Sequence, residues 1–361
     1  MKSGSSKAMN KTHNAALDTE MTNAPRSQSI GMQLVGQMAD ITRDRIQALA
    51  LDNAKKNLSM IQNGKSLRAL RSETAGIGDK AVIIAAGPSL KRKQVAEQII
   101  ASNYQGAIIA TESSMLYCLR KSIIPDLVVT VDPHPKRIVR WFGDPELTEA
   151  DLRADDYFER QDLDTSFSDA LRTNEEILEL LNKFGSQMRI AISSSSAETV
   201  VTRAHQSDMQ VYWWNPMYDD PDEVGSITRT LQKDNGLPCL NAGGNVGAAA
   251  WMMANAVWNK QRIAVTGMDF GYYAETPYKN TQYYHEALSL VGEENLDDLY
   301  MKVYNPYLEK WFYTDPAYMW YRECFLQMAD HASCQTFNCT EGGILFGENI
   351  TFSNLSSFLS D

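Results

Sequence analysis

From residue 80 onward, short apolar blocks closing in turn-forming residues alternate with stretches of helical period. The run from Lys80 to Ile84 is apolar after its first residue and closes in Ala85-Ala86-Gly87-Pro88-Ser89-Leu90, the pattern of a strand buried on both faces that stops in a tight turn before a helix. A second run, Gly106 to Thr111, precedes a helical stretch through Arg120, and Pro125 to Asp132 forms a third. Further runs at Met188–Ile192, Val211–Trp214 and Arg262–Gly267 continue the series. Strands alternating with helices predict an α/β protein with a doubly wound, Rossmann-like, mainly parallel sheet.

Upstream the period changes. Leu34, Met38, Ile41, Ile46, Leu49, Leu58 and Ile61 recur at roughly helical spacing with no proline, which predicts one or two amphipathic helices as a preface over residues 31–75. Residues 1–30 are polar without apolar period and read as a flexible arm. The core is expected over 76–345, with an acidic insertion at about 140–185 (Asp151, Asp155, Asp156, Asp162, Asp164) and an aromatic cap at about 272–325, leaving 346–361 as a C-terminal tail. A solvated insertion accounts for the acidic stretch more simply than a metal cluster does. The aromatic stretch, dense in Tyr and Trp, suits a helical lid packed over a site.

Composition narrows the function. A chain of 361 residues that is 43% hydrophobic can bury a large core, and its net charge of −11 argues against wrapping nucleic acid. No run is long and apolar enough for a membrane span, no export signal is legible, and five cysteines without a CxxC pair predict reduced thiols, so a cytoplasmic location is expected.

Candidate chemistry gathers where predicted strands end. Gly87, Pro88 and Ser89 form a turn that lets backbone approach a phosphate or sugar, with Ser89 free to cap the helix or bond the ligand, and Lys91-Arg92-Lys93 follows. The turn lacks both GxGxxG and GxxxxGK[ST]. Asn241, Gly243, Gly244, Asn245 and Gly247 precede a helical run to Asn259, a cradle for an anion or nucleobase as well as a plain capped turn. Both turns are expected on one sheet edge, and Gly244→Val is expected to block the ligand while sparing the fold. Gly267 and Asp269 close a strand, with Asp269 suited to a ribose or a cation and His285 to general-base work. Asp132 and His134 in Asp132-Pro133-His134-Pro135 suit a substrate hydroxyl or a metal, although no metal is required. Glu112, directly after the second run, and Glu341 with Gly342 near the carboxyl end complete the substrate-binding candidates.

At Ala85-Ala86-Gly87-Pro88-Ser89-Leu90, Ile124 to Asp132, Gly243-Gly244-Asn245-Val246-Gly247, Gly267-Met268-Asp269 and Thr340-Glu341-Gly342-Gly343 the sequence resembles the MptE-like family. That family includes motility accessory factors thought to glycosylate flagellin and archaeal kinases that move pyrophosphate from ATP to a hydroxymethyl dihydropterin. The Gly87 and Gly243 turns also resemble bacterial sialyltransferases that use CMP-activated sugars. The resemblance implies a transferase with a CMP-nonulosonic sugar donor and a protein or glycan acceptor such as flagellin, His285 as base, and Tyr272 or Tyr278 assisting departure of the CMP phosphate. The alternatives it leaves open are pyrophosphoryl transfer from ATP with magnesium, and a non-catalytic nucleotide-binding protein.

Overall fold

A computed structural model of the chain describes residues 29–135, 140–154 and 167–361. The arm at 1–28 and Asp155, Asp156, Asp162 and Asp164 of the acidic insertion lie outside the described residues.

The strands, in chain order, are β1 (Lys65–Ser66), β2 (Lys80–Ile84), β3 (Ala107–Thr111), β4 (Leu127–Thr130), β5 (Arg189–Ser193), β6 (Gln210–Met217), β7 (Cys239–Asn241), β8 (Arg262–Thr266), β9 (Tyr272–Tyr273), β10 (Met301–Asn305), β11 (Lys310–Thr314), β12 (Gln335–Asn338) and β13 (Ile350–Phe352). Ten of them make one sheet in the order β1-β6-β5-β4-β3-β2-β8-β12-β13, with β7 beside the end of β6. Every pair in it is parallel. The chain therefore winds outward from β2 to β6, returns to the middle at β8 and winds the other way to β13. The reversal falls between β2 and β8, where Val82 is paired with both Ile108 and Ala264.

Near-continuous apolar strands arise because both faces are covered. On one face Ile83, Ile109, Val129, Tyr212 and Val265 pack under α6 (Val246–Ala256) and α8 (Pro316–Asp330), with Trp251 and Phe325 buried between the layers. The small residues Ala248, Ala249 and Ala250 let α6 sit close to the sheet. The opposite face, carrying Val82, Ile84, Val128, Ile190 and Ile192, is covered by α2 (Val95–Ala101), α3 (Glu112–Arg120), α4 (Phe167–Phe184), α5 (Glu198–Gln206) and α9 (Leu355–Ser360).

The preface contains α1 (Met38–Lys56), flanked by short helices Ile30–Val35 and Leu58–Asn63. Asn53 Nδ2 donates to the carbonyls of Pro133 and Ser195, each at 2.9 Å, and Asn57 Nδ2 to those of Ser194 and Ser196 at 2.9 and 2.8 Å. Two buried amides thus pin α1 across the carboxyl ends of β4 and β5. Residues 346–361, read as a tail, instead add β13 to the sheet, and Leu355 and Phe358 of α9 to the core. The aromatic stretch contains α7 (Tyr284–Val291) and a three-stranded antiparallel sheet, β10-β11-β9, as well as helix. No helix among the described residues is long and apolar enough to cross a membrane.

Candidate functional site

At the reversal point the loops after β2 and β8 continue to bond beyond the strands. Ala85 N donates to Thr266 O at 2.9 Å and Gly87 N to Gly267 O at 2.8 Å. Ser89 then reaches Asp269, its amide 3.2 Å from Oδ1 and its hydroxyl 2.8 Å from Oδ2. Asp269 is 2% exposed, and burial pushes its carboxyl up to about 7 although the two Ser89 donors pull the other way. A Cβ on Gly87 would stand 2.2 Å from Asp269 Oδ2, one on Gly342 2.9 Å from Oδ1, and one on Gly343 2.1 Å from the Asp269 carbonyl. The glycines of two separate motifs are thus small because they crowd one buried aspartate, Gly87 and Gly342 its carboxylate and Gly343 its backbone.

Ser89 is expected from the sequence to cap the helix or bond the ligand; instead Asp269 holds both its amide and its hydroxyl. Pro88 opens the short helical turn that delivers Ser89 to it. The basic cluster is also engaged. Arg92 bonds Glu275 at 2.8 Å and stacks 3.9 Å over the Tyr273 ring, and Lys93 pairs with Glu341 at 3.7 Å. Lys91 is exposed and forms no ion pair among the described residues.

The second glycine turn lies on the same carboxyl edge, because β7 runs parallel to β6. Asn241 Oδ1 accepts from Gly243 N at 2.9 Å, and Asn245 caps α6 by accepting from Ala248 N at 2.9 Å while its own amide donates to Gly243 O at 3.1 Å. Both asparagines therefore shape the turn. Gly243 and Gly244 have φ of +54° and +75°, where a side chain is strained. A Cβ on Gly244 would lie 2.6 Å from the Trp320 ring, so Gly244→Val would disturb the packing of α8, contrary to the expectation that it spares the fold. Beside Gly247, Met268 Sδ stands 3.3 Å from where a Cβ would be, joining the start of α6 to the β8 loop.

A third cluster occupies the ends of β3 and β4. Glu112, the first residue of α3, is 6% exposed, and its Oε2 has no hydrogen-bond partner among the described residues. Burial, helped by the charge of Asp132, pushes its carboxyl up to about 8. Asp132 is exposed and accepts from the His134 amide at 2.8 Å, forming an Asx turn. The charge of Asp132 is also felt by Tyr218, just beyond β6, and by Tyr321 of α8. Among the described residues no group of three or more His, Cys, Asp or Glu side chains is arranged to hold a metal ion.

The aromatic candidates divide. Tyr273, not Tyr272, faces the buried acid: a Cβ on Gly342 would lie 2.7 Å from its hydroxyl. Tyr272 points the other way along β9, donating to Asp315 Oδ2 at 3.1 Å. The Tyr278 hydroxyl donates to Asp297 at 2.8 Å, and its ring stacks on Tyr300. His285 packs edge-on against Tyr284, and no described contact brings it to Asp269 or to either glycine turn. Tyr272, Tyr278 and His285 therefore belong to the packing of the cap.

Several residues escaped sequence reasoning: Asn53 and Asn57, four apart in the helical preface, Tyr218, Tyr273, and Ser195 within the run Ser193 to Ser196. Four consecutive serines after an apolar strand are a legible signal of polar atoms at a strand end. A shallow groove of about 490 Å³, lined by Met60, Gly64, Lys65, His205, Gln210 and Trp213, lies beside β1 and the start of β6, away from the carboxyl ends.

Residues 52–141 match the family model described as 6-hydroxymethylpterin diphosphokinase MptE-like. The match includes Asn53, Gly87, Ser89, Glu112 and Asp132, and ends before the Gly243 turn, Asp269 and Glu341. No curated protein matches the chain. A solved structure of a Maf glycosyltransferase from Magnetospirillum magneticum AMB-1 is similar at 14% identity and a TM-score of 0.47, over 90% of this chain and 47% of that one. The chain spans about half the length of that structure.

Proposed function

We propose that the protein is a transferase that binds a nucleotide-activated donor at the carboxyl edge of the sheet, above the β2/β8 reversal. The observation that carries this reading is the placement of both glycine turns, Glu112 and Asp132 on one edge beside that reversal, where open α/β sheets bind ligands. The start of α6 offers backbone amides and the positive end of a helix to a phosphate. Asp269 and Ser89 form the floor, and the role we assign to Asp132, an exposed carboxylate just beyond β4, is to accept a proton from an acceptor hydroxyl. The donor we favour is a CMP-activated nonulosonic sugar, with a protein or glycan acceptor. A monophosphate ester asks for less positive charge than a triphosphate, and Arg92 and Lys93 are already paired with acids.

The second reading is pyrophosphoryl transfer from ATP, favoured by the description of the matching family. Magnesium is commonly held by one or two carboxylates plus substrate phosphates, so Asp132, with Glu112 once ionised, fits that role. The metal would there neutralise the triphosphate. Calorimetric titration with CMP, CMP-sialic acid and ATP, each with and without magnesium, separates the readings. Metal-independent binding of the cytidine ligands is expected. Binding of ATP alone, and only with magnesium, replaces the first reading by the second, and no nucleotide binding overturns both.

A further inference from the structure

Three cations, Lys91, Arg92 and Lys93, follow the glycine turn at the carboxyl end of β2. Two of them are met by acids from other loops around the same mouth. Arg92 Nη1 donates at 2.8 Å to Glu275, just beyond β9, and Lys93 Nζ stands 3.7 Å from Oε2 of Glu341, just beyond β12. Neither acid saturates its cation. Arg92 uses one of its N–H groups on Glu275 and lies 3.9 Å over the Tyr273 ring, and 3.7 Å is too long for a hydrogen bond from the Lys93 ammonium. The Tyr273 hydroxyl forms no hydrogen bond among the described residues. Burial and the charge of Asp269 push it up to about 12, and Arg92, Glu275 and Glu341 all act on it, so these groups surround one hydroxyl. The Glu275 carboxyl is held below its usual range by its own backbone and by Arg92, with Lys310 of β11 adding to them.

Ion pairs this open to solvent are weak, and a better-matched anion can replace them. Spare donors on three side chains suit the three terminal oxygens of a phosphate monoester better than the two oxygens of a carboxylate. The charge fits as well: such a phosphate carries about −1.5 to −2 at pH 7, so exchanging it for two carboxylates leaves the local charge nearly unchanged. Glu341 stands at Lys93 on left-handed backbone, φ +51°, a conformation that strains a side chain and recurs at ligand clamps.

We propose that Arg92, Lys93 and the Tyr273 hydroxyl form a clamp for one phosphate group, closed in the free protein by Glu275 and Glu341, which stand in for the phosphate and give way to it. The start of α6, joined to the β8 loop where Gly247 meets Met268, brings its backbone amides to the same edge of the sheet. The inference deepens the transferase reading and rests on it for the source of the phosphate, the nucleotide.

The test is calorimetric titration of the full chain with CMP and with cytidine, which lacks the phosphate, alongside phosphorus NMR with inorganic phosphate. The variants are Glu275→Gln, Arg92→Ala and the two combined, each checked for folding by circular dichroism. Glu275→Gln removes the competing charge, so CMP and phosphate are expected to bind about two- to fivefold more tightly, with cytidine unchanged. Arg92→Ala is expected to weaken CMP and phosphate about tenfold, again with cytidine unchanged. In the combined variant Glu275→Gln should give no gain, whereas a general effect of net charge would persist there. Glu275→Gln binding CMP and phosphate no more tightly, Arg92→Ala binding them unchanged, or neither ligand binding at all overturns the clamp. Phosphate binding that follows the variants, without binding of CMP or cytidine, retains the clamp and removes the nucleotide reading. CMP binding that is indifferent to every variant does the reverse.

Discussion

Asp269 shows how one side chain organises motifs distant in sequence. Its carboxylate is gripped by Ser89 and walled by the bare backbones of Gly87 and Gly342, while Gly343 abuts its main chain, so that three short patterns separated by up to 256 positions are parts of one buried contact. Ser89→Ala removes a charge-assisted bond and leaves a buried carboxylate short of a donor, with an expected loss of about 1–3 kcal/mol in a urea titration. Gly87→Ala is expected to do more harm, because its Cβ would also stand 2.4 Å from the Gly267 carbonyl, and backbone cannot swing aside. A second residue-scale outcome concerns Glu112. Its folded titration lies near 8 against a usual 4.5, so between those values the native state holds a proton that the unfolded chain releases. Stability from this group is therefore full below pH 4.5 and declines as pH rises through 8. Asp269 and Asp315, raised to about 7 and about 6, act in the same direction at lower pH. Glu112→Gln should thus lose less melting temperature than the unaltered protein between pH 7 and 9. Equal slopes would show that Glu112 is not held protonated.

At the scale of elements, β2 through β6 and β8 were legible because a doubly covered parallel strand needs an unbroken apolar run, and these strands have one. β12 and β13 were not: Gln335-Thr336-Phe337-Asn338 and Ile350-Thr351-Phe352 are too short and mixed to stand out, and take strand form from partners already in place. The cap was legible as aromatic but not as a hairpin, since Tyr304 and Trp311 become neighbours only through the β10–β11 register. Site residues divide the same way. Strand-end acids could be read directly, whereas whether Tyr272 or Tyr273 faces Asp269 depends on the phase of a two-residue strand. Helix α1 offers a prediction at this scale. Its sequence is largely exposed and polar, and its attachment to the carboxyl edge depends heavily on Asn53 and Asn57. Asn57→Ala leaves two buried carbonyls unbonded, so a cost of about 1–3 kcal/mol is expected, with amide exchange accelerated in α1 and in Ser194 to Ser196 but not in β2 or β8.

For the molecule as a whole, the order of winding decides which segments are dispensable. The chain closes its sheet with β13 and α9, after every candidate site residue has been laid down, so a reading from sequence alone treats these last residues as spare. The packing assigns them a different weight. Leu355, Phe358 and Leu359 are at most 8% exposed and fill the face over Val82, Ile84, Val95 and Ile99, with the Phe358 ring 5.2 Å from Phe337 and its carbonyl 2.9 Å from Lys80 Nζ. Each such side chain contributes about 1.5–3 kcal/mol on burial, so the three together approach the net stability of a typical domain, about 5–15 kcal/mol. Removing them would also uncover Phe337 and the edge of β12, an unpaired strand prone to association. A chain ending at Glu348 should therefore fail to give a cooperative melt and should accumulate as aggregate. Phe358→Ala in the full chain should still fold but melt with a loss of about 3–5 kcal/mol. A truncated protein that melted cooperatively and unchanged would mean that β12 serves as the sheet edge unaided, and that the core over Val82 and Ile84 closes without α9.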